Sequence, residues 1–198
     1  CSSENTITID PNGGESWTTN EINTWQGPDA NGCYTKSVEK NTTVVLPTPT
    51  KIGNQFAGWI DDAANPVSSP YTPNSNVTLT AQWTPNQHTL TWILDGGKVT
   101  VAGTNADVNA TGTLSGSVNY GTSIQAPQVA KTGYTFNGWS PIFSVGTTMP
   151  DNDLTYTAQW TAVTAATPSP AVTATPAPAA PAAPVAPTAT PAPAPKTG

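Results

Sequence analysis

The sequence predicts a mainly β protein built as two tandem small modules, followed by a disordered tail rich in Pro, Ala and Thr. Three observations carry that expectation. Of 198 residues, ten of the 21 prolines and none of the 15 aromatics lie after Thr161, so the material for a packed core ends there. Thr, Asn, Ser and Gly fill a chain in which only 9% of residues are charged, a composition suited to strands and turns and not to long amphipathic helices. The chain also repeats itself, which sets module number before any single residue is interpreted.

The repeat has three matched blocks. Thr6-Ile7-Thr8-Ile9 leading to Asn12-Gly13-Gly14 matches Thr89-Leu90-Thr91-Trp92 leading to Asp95-Gly96-Gly97. Val44 to Trp59, through Pro47, Lys51, Gly53 and Phe56, matches Ile124 to Trp139, through Pro127, Lys131, Gly133 and Phe136. Pro73 to Trp83 matches Pro150 to Trp160. The blocks are offset by 83, 80 and 77 residues, and both changes of offset fall in Gly/Asn/Ser/Pro-rich stretches where surface loops accept length change. The modules are therefore residues 1–84 and 89–161, joined by a linker at 85–88 and followed by the tail at 162–198. The first is divergent, with a long Gly/Asn-rich insertion at 15–33.

Taken in order, Ile7 and Ile9 alternate with Thr6 and Thr8 as one buried face of a strand does. Asn12-Gly13-Gly14 supplies the positive φ of a tight reversal, which predicts a first hairpin. The segments after Pro47 and Pro127 cannot begin as regular helix before meeting Gly53 or Gly133, so at most a turn of helix fits there. Val77, Leu79, Ala81 and Trp83, like Leu154, Tyr156, Ala158 and Trp160, alternate with polar neighbours and predict closing strands. Four or five short strands per module follow. Phe56, Trp59, Trp83, Phe136, Trp139 and Trp160 recur at equivalent positions, as a repeated structural core does.

The opening strand ending in Gly-Gly, the Pro-containing segment, the run Gly133-Tyr134-Thr135-Phe136-Asn137-Gly138-Trp139 and the closing Leu154-Thr155-Tyr156-Thr157-Ala158-Gln159-Trp160 resemble the InlB B-repeat, or Listeria–Bacteroides repeat. The resemblance covers both modules, about four-fifths of the chain, and is stronger in the second. It implies a small β-grasp-like module strung in tandem on bacterial surface proteins. Its implied place is extracellular, on the cell surface or in the cell wall. The implied role is that of a non-enzymatic spacer or stalk with monomeric modules and an adhesion surface for a host or bacterial glycan or protein.

The residues themselves give little chemistry. Six Lys, no Arg and twelve acidic residues leave a formal net charge of −6, which disfavours nucleic-acid binding through a basic patch. No stretch reaches the roughly 18 apolar residues of a membrane span. The single His, His88, falls in the expected linker, where an imidazole without an orienting pocket does little. Two Cys and one His cannot make a structural zinc site, and no cofactor is expected. Asp61-Asp62 and Asp151-Asn152-Asp153 are the carboxylate clusters to weigh for glycoside hydrolysis, and the second also for Ca²⁺. Against them, sequence neighbours rarely flank one substrate, and Asn74-Ser75-Asn76, the counterpart of residues 151–153, has no acid.

Trp17 and Trp25 have no partner in the second copy and sit among small polar residues, so they are the candidate ligand-facing residues of a carbohydrate-binding alternative. Lys51 and Lys131 recur before the Gly-aromatic run and read as solvated turn residues, with a Lys–Asn crosslink as the chemical alternative. Cys1 and Cys33 are an even pair that a disulfide can join. The other readings are a buried Cys33 and a lipidated Cys1. In the tail, near-alternate Pro favours an extended polyproline II stalk. Its closing Pro195-Lys196-Thr197-Gly198 resembles the end of a sortase signal, with Ala194 where Leu is usual.

Overall fold

The computed structural model describes residues 4–164. The tail from residue 165, with its sortase-like Pro195 to Gly198, and Cys1 lie outside the described residues. The first repeat comprises β1 (Glu4–Asp10), β2 (Ser16–Trp17), β3 (Tyr34–Glu39), β4 (Pro49–Thr50), β5 (Asn54–Ile60), β6 (Pro66–Val67) and β7 (Val77–Pro85). A short 3-10 helix, Asn20–Thr24, lies in the insertion. The second comprises β8 (Gln87–Val101), β9 (Thr111–Asn119), β10 (Gln128–Ala130), β11 (Tyr134–Ser140) and β12 (Leu154–Ala162). The fold is mainly β, in two repeat units, and the segments after Pro47 and Pro127 hold short strands where a turn of helix had room.

Each repeat centres on a parallel pair from its two ends, β1 with β7 and β8 with β12. Thr8 faces Thr78 in the first and Thr91 faces Thr155 in the second. Antiparallel strands flank the pair, in the order β3-β1-β7-β5-β6 in one sheet; in the other the order is β10-β8-β12-β11, with β9 also on β8. The alternation read from sequence places Ile7, Ile9, Leu79 and Ala81 in one core and Leu90, Trp92, Tyr156 and Ala158 in the other.

The Gly-Gly turn does not close a hairpin. Asn12 (φ 48°) and Gly13 (φ 79°) turn the chain out of β1, and the next strand, β2, pairs with β4 instead. The antiparallel partner of β1 is β3, beyond the insertion. In the second repeat Asp95 (φ 46°) and Gly96 (φ 79°) bend β8 in place, so its first part pairs with β9 and its end with β10. Gly-Gly at this position changes partner, because the positive-φ pair redirects the strand without bringing it back on itself.

The repeats also differ after β5 and β11. In the first, Pro66–Val67 folds back on Trp59 and Ile60. The second is three residues shorter between Trp139 and Pro150, and there the chain turns away without forming a counterpart of β6, leaving Ile142 and Val145 exposed.

Candidate functional site

The residues that recur in both repeats build the same turn lock twice. Trp83 Nε1 donates to the Pro11 carbonyl at 3.1 Å, and Trp160 Nε1 donates to the Leu94 carbonyl at 3.0 Å. Lys51 Nζ donates to Asn12 O at 3.2 Å and lies 5.7 Å from the Trp83 ring centre. Lys131 Nζ donates to Asp95 O at 2.7 Å and lies 5.8 Å from Trp160. Each lysine thus satisfies a carbonyl that a positive-φ turn exposes, with an aromatic face beneath its charge. The Asn12 side chain is engaged elsewhere, donating to Ala81 O at 3.1 Å, and Asp95 replaces it in the second repeat. A Lys–Asn crosslink has no support in this arrangement. Phe56 and Phe136 pack edge-on to Trp59 and Trp139, which are buried.

The expected linker at 85–88 shrinks to Asn86, because β7 runs to Pro85 and β8 starts at Gln87. Asn86 is the centre of a joint between the repeats. Its N–H donates to Gly53 O at 2.9 Å, and its carbonyl accepts from Tyr120 N at 2.8 Å. Its side-chain amide donates to Asp151 Oδ1 at 2.8 Å. His88 is therefore no linker residue: its Nε2 lies 2.7 Å from Asp151 Oδ1, and its Nδ1 lies 3.8 Å from Asp153 Oδ1. Gly53, at φ +68°, lies against the Tyr120 ring so closely that a Cβ would overlap it. Hydrogen bonds from the Asn86 amide, the His88 ring and the Gly53 backbone hold the Asp151 carboxyl below its ordinary value of 3.8.

The carboxylates weighed for catalysis or Ca²⁺ are engaged by N–H groups. Asp153 Oδ1 accepts from Thr89 N at 2.7 Å, and Asn76 Oδ1 accepts from Thr6 N at 2.9 Å at the equivalent position. An amide oxygen and a carboxylate oxygen thus do one job in the two repeats, which explains why one copy has no acid. Asp61 accepts from Ala63 N at 2.9 Å and Asn65 N at 2.8 Å. These bonds, that to Asn65 foremost, lower its carboxyl from the ordinary value. Asp62 Oδ2 accepts from Thr78 N at 3.1 Å. Among the described residues, no group of three or more His, Cys, Asp or Glu is placed to hold a metal, and no helix is long and apolar enough to cross a membrane.

The insertion changes the reading of its two tryptophans. Trp25 does not face a ligand: it is only 7% exposed, in the core with Ile7, Ile9 and Trp59, and its Nε1 has no hydrogen-bond partner. The 3-10 helix before it turns the chain inward, a tertiary effect that a Gly/Asn-rich composition hides. Trp17 is half-buried, stacked on Trp59 at 6.5 Å between ring centres and edge-on to Tyr34 at 5.3 Å. Trp17 and Tyr34 also line a cavity of about 270 Å³ together with Asp10, Glu15 and Asn31. Sequence reasoning found Trp17 and missed the others, which come from two stretches of chain, residues 10–15 and 31–34. A larger, more open groove of about 440 Å³ runs past Thr6, Thr8 and Asp62, with no aromatic in its wall.

Cys33 is a free thiol. Glu39 faces Glu4 and Tyr34 faces Ile9, so Cys33 lies beyond the far end of β1. That strand spans about 20 Å at the usual rise per residue, which sets Cys33 and Glu4 at opposite ends of it. The pairing of Cys33 with Cys1 involves a residue outside those described. Burial, then the charges of Asp10 and Asp29, push the Cys33 thiol above its ordinary value.

Comparison with known proteins agrees with the repeat architecture. The model of the Listeria-Bacteroides repeat domain matches residues 6–82 and again 88–167. Internalin H of Listeria monocytogenes is 31% identical over an alignment covering 67% of this chain. The chain spans only 24% of that relative's length. No solved structure matches the chain. With two tandem matches that together take in most of its residues, the chain belongs to the Listeria–Bacteroides repeat family.

Proposed function

We propose that the two repeats form a coupled, non-enzymatic spacer segment of a bacterial surface protein, set outside the cell. The observation that carries this reading is the joint. Asn86, Gly53, Tyr120, His88 and Asp151 link the end of one repeat to the start of the next through backbone and side-chain bonds. A spacer needs defined geometry between modules, and a one-residue connection tied on both sides provides it. The absence of catalysis is supported by what the candidate groups do: the sole imidazole and Asp151 are engaged in the joint, and Asp61, Asp62 and Asp153 cap backbone N–H groups.

Thermal unfolding of the full chain tests the coupling. One cooperative transition is expected from calorimetry, and Gly53→Ala should divide it into two by forcing a Cβ against Tyr120. Two independent transitions in the unaltered chain, unmoved by the substitution, contradict the reading. Turnover in a broad screen of glycosides and peptides contradicts its non-enzymatic part.

A further inference from the structure

We infer that the cavity beside Trp17 in the first repeat is a binding site for a neutral or amino sugar unit of a glycan. At about 270 Å³ it has room for a single sugar ring and little more. Its wall combines two kinds of surface that such a ring requires. Trp17 and Tyr34 offer aromatic surface to the C–H groups of the ring. Asp10, Glu15 and Asn31 offer oxygen acceptors and an amide to its hydroxyl or amino groups. Pro11, Pro28, Gly13, Gly14 and Gly32 complete the wall.

The site is held before any ligand arrives. Trp17 stacks on Trp59 and meets Tyr34 edge-on, and β2 pins it to β4. Asp29 Oδ1 accepts from Asn31 N at 2.8 Å and Cys33 N at 2.9 Å, which sets the loop carrying Asn31. Rigid aromatic and polar groups lose little entropy on binding. Charge selects among sugars. No lysine lines the cavity, and Asp10 and Glu15 do, so a carboxylated sugar meets like charge.

The second repeat has no aromatic between Trp92 and Tyr120, so nothing there replaces Trp17 or Tyr34. The site therefore belongs to the first repeat and goes beyond the spacer reading. A blank result here leaves the joint untouched, and a broken joint leaves the cavity intact.

Isotope-labelled full chain is titrated by NMR with the methyl glycosides of glucose, galactose, N-acetylglucosamine and glucosamine, and with N-acetylneuraminic acid as the anionic probe. Saturable shifts confined to the Trp17 indole and the Gly13, Gly14 and Gly32 amides are expected for at least one of the four glycosides, with none for the acid. Glu15→Gln and Asn31→Ala each weaken that binding by about tenfold while other resonances stay in place. Trp17→Ala abolishes it, but also removes packing on Trp59, so the two polar variants decide. No saturable shift from any of the four, shifts elsewhere on the chain, equal binding of the anionic sugar, or undiminished binding in both polar variants overturns the proposal.

Discussion

At the scale of single residues, Trp25 and Asp151 show how far a side chain's work is set by partners remote in sequence. Trp25 lies in the core with its indole N–H unpaired. Removing most of the ring should cost about 3–5 kcal/mol. Trp25→Phe keeps much of the apolar volume and deletes an unsatisfied donor, so it should cost less than about 1.5 kcal/mol. Urea unfolding of both variants checks the contrast, and equal losses would contradict the buried placement. Asp151 carries a carboxyl held below its ordinary value, chiefly by the Asn86 amide and then by His88. A lowered value means that the ionised form favours the folded joint. That contribution is present above the ordinary carboxylate range and is lost as the pH falls through the depressed value. Carboxyl NMR titration should place the Asp151 midpoint below 3.8, and Asn86→Ala should move it upward.

None of these partnerships could be read locally. His88 meets Asp151 across 63 positions of sequence, whereas its own sequence neighbours are those of a polar connection. The recurring tryptophans were legible because two copies hold them at matched positions, and Trp83 and Trp160 prove to lock equivalent turns. Trp25 was not legible: it has no counterpart, and its flanking residues resemble those of a surface loop.

Among the elements, strand existence followed from period-2 alternation, since a half-buried strand has to alternate. Pairing did not. Asn12-Gly13-Gly14 has the composition of a hairpin turn, yet β2 leaves for β4 because Pro49 and Thr50 lie within reach and β3 takes the edge of β1. Which partner wins is a matter of tertiary competition, invisible in a three-residue motif. The three-residue shortening between Trp139 and Pro150 was visible as a change of offset, and its structural consequence is the missing counterpart of β6.

Two equivalent glycines separate strand geometry from the joint. Gly53 has φ +68° with the Tyr120 ring against it, whereas Gly133 has φ +78° with open space where a Cβ would go. Gly133→Ala should therefore cost only the left-handed backbone penalty, about 1–2 kcal/mol. Gly53→Ala adds an overlap worth about 1–3 kcal/mol. Equal losses in denaturant unfolding would mean that Tyr120 does not rest on Gly53.

For the whole molecule, the sequence shows two cores and the structure adds what lies between them. Each repeat closes its own core around a parallel pair of strands, so neither needs the other for burial. The connection is nonetheless a single residue, Asn86, bonded to Gly53 on one side and to Tyr120 and Asp151 on the other. Two self-sufficient cores with a tied joint suit a segment that keeps modules at fixed separation, the role proposed above. Residual dipolar couplings measured on the full chain test it most directly. One alignment tensor fitting residues 4–85 and 87–162 together is the expected result. Separate tensors of different magnitude for the two repeats would show that they swing freely about Asn86 and would contradict the claim.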